Sequence, residues 1–258
     1  MSFVNWKTTY AAVWRAHTHQ LRPISRLDPV RLTSLLGVER QKQALLSNTQ
    51  HFLQGQPSNH TLLWGSRGTG KSSLIKALLN ELAPQGLRIV QVDKEDLLWL
   101  PEILDLLEAE PYRFIIFCDD MSFEEGEVGY KPLKSILEGG LELPPEHVRI
   151  YATSNRRHLL PEHMSDNQQT QVVDGEIHYA DAVEDKMALS DRFGLWLSFY
   201  PASWDTYFTM VDQLFGDVNT DRSALHQAAR LFAMGRASHS GRTAKQFYQH
   251  YLATLQDS

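Results

Sequence analysis

The sequence of 258 residues holds one cysteine, Cys118, so no disulfide can form within the chain. Cys118 lies in an apolar segment, where we expect it to pack in the interior of a protein from a reducing compartment. No apolar run approaches the ~20 residues that span a bilayer, and the first ten residues lack the apolar core of a signal peptide. These absences predict a cytoplasmic protein with no membrane partner.

The charge balance and the histidines also lack a marked pattern. Lysine and arginine number 25 against 31 acidic residues, and the net charge of −6 gives no overall attraction to nucleic acid. A local basic patch is compatible with that average, so nucleic-acid binding stays open. None of the eleven histidines has a cysteine or a second histidine at zinc-binding spacing, and no zinc site is predicted.

Short apolar runs alternate with helical patterns between residues 35 and 200. This alternation is typical of a parallel sheet flanked by helices, and it predicts the α/β fold class. The predicted strands are TLLW, LRIVQV, RFIIFC, VRIYAT and LWLSFY.

The two ends of the chain lack this alternation of strand and helix patterns. From Pro201 onward strand signals stop, and three amphipathic patterns predict a small helical domain over residues 201–258. In residues 1–34 aromatic and apolar side chains recur three and four positions apart, which predicts an N-terminal helical extension. The residues that make this spacing are Trp6, Tyr10, Val13, Trp14 and His17.

A phosphate-binding loop follows the first predicted strand, in TLLWGSRGTGKSSLIKALL. The glycines let backbone amides turn toward phosphate oxygens, and the next helix presents its positive N-terminus. Lys71 is expected to reach the β and γ phosphates, and Ser72 to ligate Mg²⁺. The motif predicts binding of ATP or ADP with Mg²⁺ through Gly65, Gly68, Thr69, Gly70, Lys71, Ser72 and Ser73.

A strand that looks fully buried, FIIFCDD, ends on two aspartates. Burying an unpaired carboxylate is costly, so both acids need a partner or a task. In phosphate-loop enzymes one acid at such a strand end holds magnesium and the next orients the attacking water. Asp119 is therefore the predicted metal ligand and Asp120 the predicted catalytic acid. The competing interpretation for both is a helix-capping or solvent-facing aspartate at a strand end.

The order of further motifs resembles that of the AAA+ ATPases. In that resemblance Gly37 and Val38 correspond to the adenine-pocket segment, and Asn155 to the sensor-1 polar residue. Arg192 corresponds to the arginine finger and Arg242 to the sensor-2 arginine of the helical lid. Each has a simpler alternative: Asn155 as a turn cap, Arg242 as a surface arginine of a helix, and Arg192 as a structural arginine.

More narrowly, five segments look like the bacterial family labelled domain of unknown function 815. The resemblance covers about Leu35 to the C-terminus and rests on VDKEDL, CDDMSFEEGE, YKPLKSILEGG, ATSNRRHL and LSDRFGLWLSFYP. It implies an AAA+ P-loop NTPase core over residues 35–200 and a C-terminal helical lid over 201–258. A finger arginine that reaches a neighbouring subunit implies a homo-oligomer, either a ring or an open assembly.

Three functions remain open for the predicted nucleotide site. The first is an ATPase that couples hydrolysis to conformational change in an oligomer or in a protein client. The others are an ATP-gated binding module or assembly switch, and a nucleic-acid loader. Most AAA+ enzymes have glutamate where this chain has Asp120, which is one methylene shorter, so we expect slow hydrolysis. No asparagine-lysine-x-aspartate motif occurs, which disfavours a GTPase.

An acidic segment, residues 160–186, interrupts the predicted core. It holds seven acidic residues against Lys186 alone, so we expect it to avoid nucleic acid and to serve as a docking surface. The acidic residues are Glu162, Asp166, Asp174, Glu176, Asp181, Glu184 and Asp185.

Overall fold

The apolar runs of the sequence form the central strands of one seven-stranded sheet. A computed structural model describes residues 4–123, 129–138, 145–157, 159, 171–173, 176–178, 189–216, 218 and 221–256. The strands of the sheet are β1 (Ala11–Arg15), β2 (Gln20–Pro23), β3 (Thr61–Gly65), β4 (Leu87–Gln91), β5 (Arg113–Cys118), β6 (Val148–Ser154) and β9 (Leu195–Phe199). A separate antiparallel pair is formed by β7 (Gln171–Val173) and β8 (Glu176–His178).

The strand order of the large sheet is β2-β1-β4-β5-β6-β3-β9. All neighbouring pairs are parallel except β1 with β2, which is antiparallel. The chain leaves β3 and enters β4 three strands away, while β6 and β9 lie on either side of β3. Such a switch in strand order opens a crevice at the carboxyl ends of the strands, where α/β proteins bind ligands.

Helices cover both faces of the sheet. On one face α1 (Glu39–Leu53) and α2 (Lys71–Leu82) pack with a buried cluster that includes Phe52 and Leu78. On the other face α3 (Leu100–Leu107) and α4 (Lys131–Glu138) pack with a second cluster that includes Ile103. Strands buried on both sides explain the continuous apolar runs in the sequence.

A three-helix unit follows β9 and has a buried cluster of its own. Its helices are α5 (Trp204–Phe215), α6 (Arg222–Met234) and α7 (Gly241–Gln256). Ser203 caps α5 by accepting a hydrogen bond from the Thr206 amide, and Asp221 caps α6 in the same way. Tyr207, Phe215 and Phe247 are among its buried residues. The predicted α/β fold with a C-terminal helical region is confirmed.

The prediction of an N-terminal helix is wrong. Residues 11–15 form β1, which pairs parallel with β4 and antiparallel with β2, and His17 lies in a short 3-10 turn. Alternate side chains face opposite sides, with Trp14 in one core cluster and Ala11 in the other. The aromatic residues are spaced as in an amphipathic helix, but hydrogen bonding to the edge of β4 makes residues 11–15 a strand. The division of the chain at residues 34 and 200 stays a prediction.

Two further sequence predictions concern the acidic segment and membrane-spanning helices. Most of the acidic segment 160–186 lies outside the described residues. Among the described residues, every helix is too short or too polar to cross a membrane.

One buried cation fastens the N-terminal segment to the sheet. Arg88 of β4 is 4% exposed, and its Nε donates to the Trp6 carbonyl at 2.8 Å. Its Nη1 donates to the carbonyls of Ala83 and Leu87 at 3.0 and 2.8 Å. The guanidinium also lies 4.1 Å from the ring centroid of Tyr112. Carbonyl dipoles and an aromatic face thus replace the water that this charge gives up on folding.

We expect Arg88→Met to lower the free energy of unfolding by at least about 2 kcal/mol, because three charge-assisted hydrogen bonds are lost while the volume is kept. Chemical denaturation measures the change. Arg22→Met is the control, since Arg22 lies exposed on β2, and a change within about 0.5 kcal/mol is expected. Equal stabilities for the two variants would contradict the assigned role of Arg88.

Candidate nucleotide-binding site

The loop after β3 passes directly against β9. At Gly65 φ is +126°, and a Cβ there would lie 2.0 Å from the carbonyl oxygen of Phe199. The Ser66 amide donates to that same oxygen at 3.0 Å. A side chain at position 65 would break this contact, so glycine is required for the turn from strand to loop. The loop then reaches Gly70, the residue before α2, with φ of +99°.

Lys71, the first residue of α2, is buried at the base of this loop. Its Nζ donates to the carbonyls of Gly65 and Ser66 at 2.7 and 2.8 Å, and to Asn155 Oδ1 at 3.1 Å. Burial lowers the pKa of Lys71 to about 8, although Asp120 and Asp119 favour the charged form. Lys71 forms no salt bridge with any described acidic residue. Its charge is solvated by neutral acceptors and is available to an anion.

Asp119 follows β5 and faces the start of α2. Its Oδ1 accepts hydrogen bonds from Ser72 Oγ at 2.6 Å and from Thr153 Oγ1 at 2.5 Å. A carboxylate and a hydroxyl in contact are the hard oxygen donors that Mg²⁺ prefers. The donor set therefore fits the predicted metal ligands Ser72 and Asp119.

Asp120 has a left-handed backbone, with φ of +52°. Aspartate tolerates this conformation better than longer side chains do. Its Oδ1 accepts a hydrogen bond from Asn155 Nδ2, and Asn155 Oδ1 accepts one from Lys71. Asn155 thus joins the loop lysine to the second acid, as expected of a residue that works in the site.

A cavity of about 940 Å³ extends from the loop to the C-terminal helices. Part of its lining is formed by Leu35, Gly37, Val38, Met210 and Leu214, which suit a flat apolar ring. Phosphate-loop residues and both aspartates also line it. The cavity therefore lies between the sheet domain and the three-helix unit.

Two glycines mark where that helical unit touches the core. A Cβ on Gly37 would lie 2.7 Å from Thr206 Cγ2 of α5. A Cβ on Gly68, in the phosphate loop, would lie 2.8 Å from Ser240 Oγ, just before α7. Arg242 and Lys245 of α7 line the same cavity. The helical unit thus contacts the core at Gly37 and at the phosphate loop.

Arg192 does not line this cavity. Its guanidinium pairs with the Glu138 carboxylate at the end of α4, and its Nε is buried without a hydrogen-bond partner among the described residues. The arginine is held by Glu138 of its own chain and is not among the residues that line its own cavity.

Most predicted site residues therefore come together. Those that line the cavity are Gly37, Val38, Gly68, Thr69, Gly70, Lys71, Ser72, Ser73, Asp119, Asp120, Asn155 and Arg242. Gly65 does not line the cavity, but its carbonyl accepts a hydrogen bond from Lys71 Nζ. Their roles stay predictions.

Thr153 and Tyr200 are cavity residues that sequence reasoning missed. The pairing of Cys118 with Ala152 puts Thr153 beside Asp119, and this register is the signal that could have found it. Tyr200 directly follows β9 and is 66% exposed, so nothing in its local pattern marked it.

Comparison with known proteins agrees with this architecture. A family model described as "Protein of unknown function (DUF815)" matches residues 7–255. A search of curated proteins gave no match.

Two solved structures illustrate the structural similarity. A substituted form of RuvB from Thermotoga maritima is similar with a TM-score of 0.50 and 17% identity, over 86% of this chain and 73% of that one. The Orc1 protein from Aeropyrum pernix, solved in complex with DNA, has a TM-score of 0.57 and 16% identity. The match covers 81% of this chain and 58% of the Orc1 chain. Both are AAA+ P-loop ATPases, and at these identities the likeness shows the fold.

The left-handed backbone at residue 120 gives a stability test. Asp120→Glu should lower the free energy of unfolding by about 1 kcal/mol, because a longer side chain is penalised at positive φ. Asp120→Asn is the matched control, since asparagine tolerates this conformation and can still accept a hydrogen bond from Asn155; its change should be below about 0.5 kcal/mol. Denaturant titration without nucleotide measures both. If the glutamate variant is as stable as wild type, strain at residue 120 is absent.

Proposed function

The chain belongs to the family described as protein of unknown function DUF815, and we propose that it is a magnesium-dependent AAA+ ATPase. In this proposal slow hydrolysis drives a conformational change in a homo-oligomer or in a bound protein client. The observation that carries it is the hydrogen-bonded chain from Lys71 through Asn155 to Asp120, at the end of a cavity that the helical lid borders.

Binding of the phosphates is assigned to the loop and its lysine. Residues 67–73, which include the N-terminus of α2, line the cavity, and the amides at a helix N-terminus favour negative charge. Lys71 exchanges its bonds to the Gly65 and Ser66 carbonyls for bonds to phosphate oxygens. Ser72 and Asp119 would hold Mg²⁺, which neutralises charge on the phosphates when bound.

Orientation of the attacking water is assigned to Asp120. Asn155 holds one oxygen of the Asp120 carboxylate, which fixes where the other can point. When Lys71 turns toward a phosphate, Asn155 loses its link to the lysine and keeps only its bond to Asp120. The short side chain of Asp120 limits how well water is placed, and this supports slow turnover.

The lid is assigned a role in sensing the nucleotide. Arg242 and Lys245 supply positive charge from α7, and binding of the base is assigned to Gly37 and Val38 with Met210 and Leu214, all of which line the cavity. Because the lid supplies both charged and apolar residues to the cavity, closure of the lid depends on what fills it.

An oligomer is proposed from the position of Arg192. A finger arginine acts on a neighbour's γ phosphate, and Arg192 lies outside its own cavity and is fixed by Glu138. Its partly exposed side chain, 22% accessible, is held by this pair and available to a neighbouring chain. We therefore propose that sites are completed between copies, in a ring or an open assembly.

A second function, an ATP-gated assembly switch with little hydrolysis, is favoured by one observation. The Asp120 carboxylate is already bound to Asn155, which leaves it less free to act on water. Steady-state hydrolysis compared with ATP-dependent sizing separates the two functions. Adding DNA to the hydrolysis assay tests a nucleic-acid loader, a role raised by the DNA in the Orc1 structure.

We expect Lys71→Ala to abolish tight binding of magnesium-ATP, because the phosphate charge loses its cation. Asp120→Asn should keep ATP binding and remove hydrolysis, because an amide cannot accept the proton of the water. Calorimetry measures binding and phosphate release measures turnover. Lys7→Ala, at an exposed site that does not line the cavity, is the control. Unchanged nucleotide affinity in Lys71→Ala would overturn the ATPase proposal.

A complementation experiment tests the role of Arg192. Arg192→Ala should lower hydrolysis about 10³-fold or more while binding is kept. Mixing it with Lys71→Ala should restore part of the activity, since one variant supplies an intact loop and the other an intact arginine. Either variant mixed with itself at the same total concentration is the control. No recovery in an assembly shown to contain both chains would contradict action between subunits.

A further inference from the structure

One hydroxyl contacts both acids of the proposed site. Thr153, in β6, is 1% exposed, and its Oγ1 donates to Asp119 Oδ1 at 2.5 Å. The same oxygen accepts a hydrogen bond from the Asp120 amide at 2.9 Å. A threonine hydroxyl has one proton to donate, so the direction of both bonds is fixed once that proton goes to Asp119. Thr153 thereby ties the side chain of the first acid to the backbone of the second.

The Asp119 oxygen that Thr153 contacts has one other side-chain donor among the described residues, Ser72 Oγ. Ser72 has a second proposed duty, because its hydroxyl oxygen is a predicted ligand of Mg²⁺. Among the described residues no hydrogen bond joins the Thr153 hydroxyl to the phosphate loop, so its bond to Asp119 is independent of that duty. It is the donor suited to keep the carboxylate turned toward the cation.

The second contact acts on Asp120. Its amide belongs to a residue with φ of +52°, a conformation that needs support from its surroundings. Thr153 Oγ1 and Asp119 Oδ1 both accept from that amide, at 2.9 and 3.2 Å. The left-handed turn that points Asp120 at Asn155 is therefore supported by the same hydroxyl that orients Asp119.

A purely structural role for this threonine is the competing explanation. The backbone of Thr153 is used separately: its carbonyl accepts from the Met121 amide at 2.7 Å, and it pairs with Leu63 of β3. Neither contact involves the hydroxyl, so a β-branched residue without one preserves the strand. The hydroxyl itself serves only the two aspartates among the described residues.

We propose that Thr153 is a positioning residue that orients Asp119 toward Mg²⁺ and holds Asp120 in its left-handed conformation. The inference deepens the proposed function and rests on it. Residues that orient a metal ligand through a hydrogen bond commonly change metal affinity or activity 10- to 100-fold when they are replaced.

The test compares Thr153→Val, which keeps the shape and removes the hydroxyl, with Thr153→Ser, which keeps the hydroxyl. Thr61→Val is the matched control, because Thr61 is also a fully buried strand threonine, at the opposite end of β3 from the phosphate loop. A fluorescent, nonhydrolysable ATP analogue is titrated against each protein in EDTA and at a series of Mg²⁺ concentrations. Denaturation gives the stability of each variant.

We expect Thr153→Val to bind the metal-free analogue within twofold of wild type, and to need about tenfold more Mg²⁺ for half-maximal tight binding. Thr153→Ser and Thr61→Val should keep the wild-type magnesium requirement. Hydrolysis by Thr153→Val should fall by a similar factor and recover in Thr153→Ser. Thr153→Ala, a second variant without the hydroxyl, gives the same readout should valine prevent folding.

Two results would overturn the inference and leave the proposed function in place. One is a magnesium requirement in Thr153→Val equal to that of wild type. The other is a loss of metal-free binding in proportion to lost stability, matched by Thr61→Val, which is the behaviour of a structural residue. Wild-type protein that binds no nucleotide would instead overturn the proposed function and the inference with it.

Discussion

The site depends on the position of β6 between β3 and β5. Because all three strands are parallel, their carboxyl ends meet at one edge of the sheet, where β3 enters the phosphate loop and β5 ends at the aspartates. The residues at the end of β6 then reach both neighbours: Thr153 contacts Asp119, and Asn155 contacts Lys71 and Asp120. A slip of one residue in this register would turn both side chains to the wrong face.

The charges of the site are kept apart although they are close in space. Lys71 is solvated by two carbonyls and an amide oxygen, and the acids accept from hydroxyls and an amide. A direct pair between Lys71 and Asp120 would satisfy both charges and leave little reason to bind a phosphate. Asn155 lies between Lys71 and Asp120, and because it is neutral it does not cancel the charge of Lys71. Burial lowers the pKa of Lys71 to about 8. A bound anion would stabilise the charged lysine, which is the electrostatic reason for proposing that this site binds a phosphate.

The sequence predicted what is local and missed what depends on distant pairing. Lys71 and Ser72 follow from one continuous motif, and Asp119 and Asn155 from the ends of two apolar runs. Thr153 needed the register between β5 and β6, which no pattern within either strand reveals. The N-terminal helix was wrong for the same reason, since β1 pairs with residues of β4 that lie 78 positions later, as in Ala11 with Ile89. The left-handed turn at Asp120 is likewise supported by hydrogen bonds that the Asp120 and Met121 amides donate to Thr153 of β6, so the choice of aspartate there had no visible cause in the sequence.

Two glycine contacts determine how closely the three-helix unit packs against the core. At Gly37 and at Gly68 the backbone of the core meets Thr206 and Ser240 of the lid with no room for a Cβ. At each contact a short side chain of the three-helix unit lies against the bare backbone of a glycine. One contact is at Gly37, beside the cavity residue Val38, and the other is on the phosphate loop, so the three-helix unit meets the core at two separate points. A side chain larger than hydrogen at either position would push the two parts of the chain apart, so the packing of the three-helix unit against the cavity depends on both glycines.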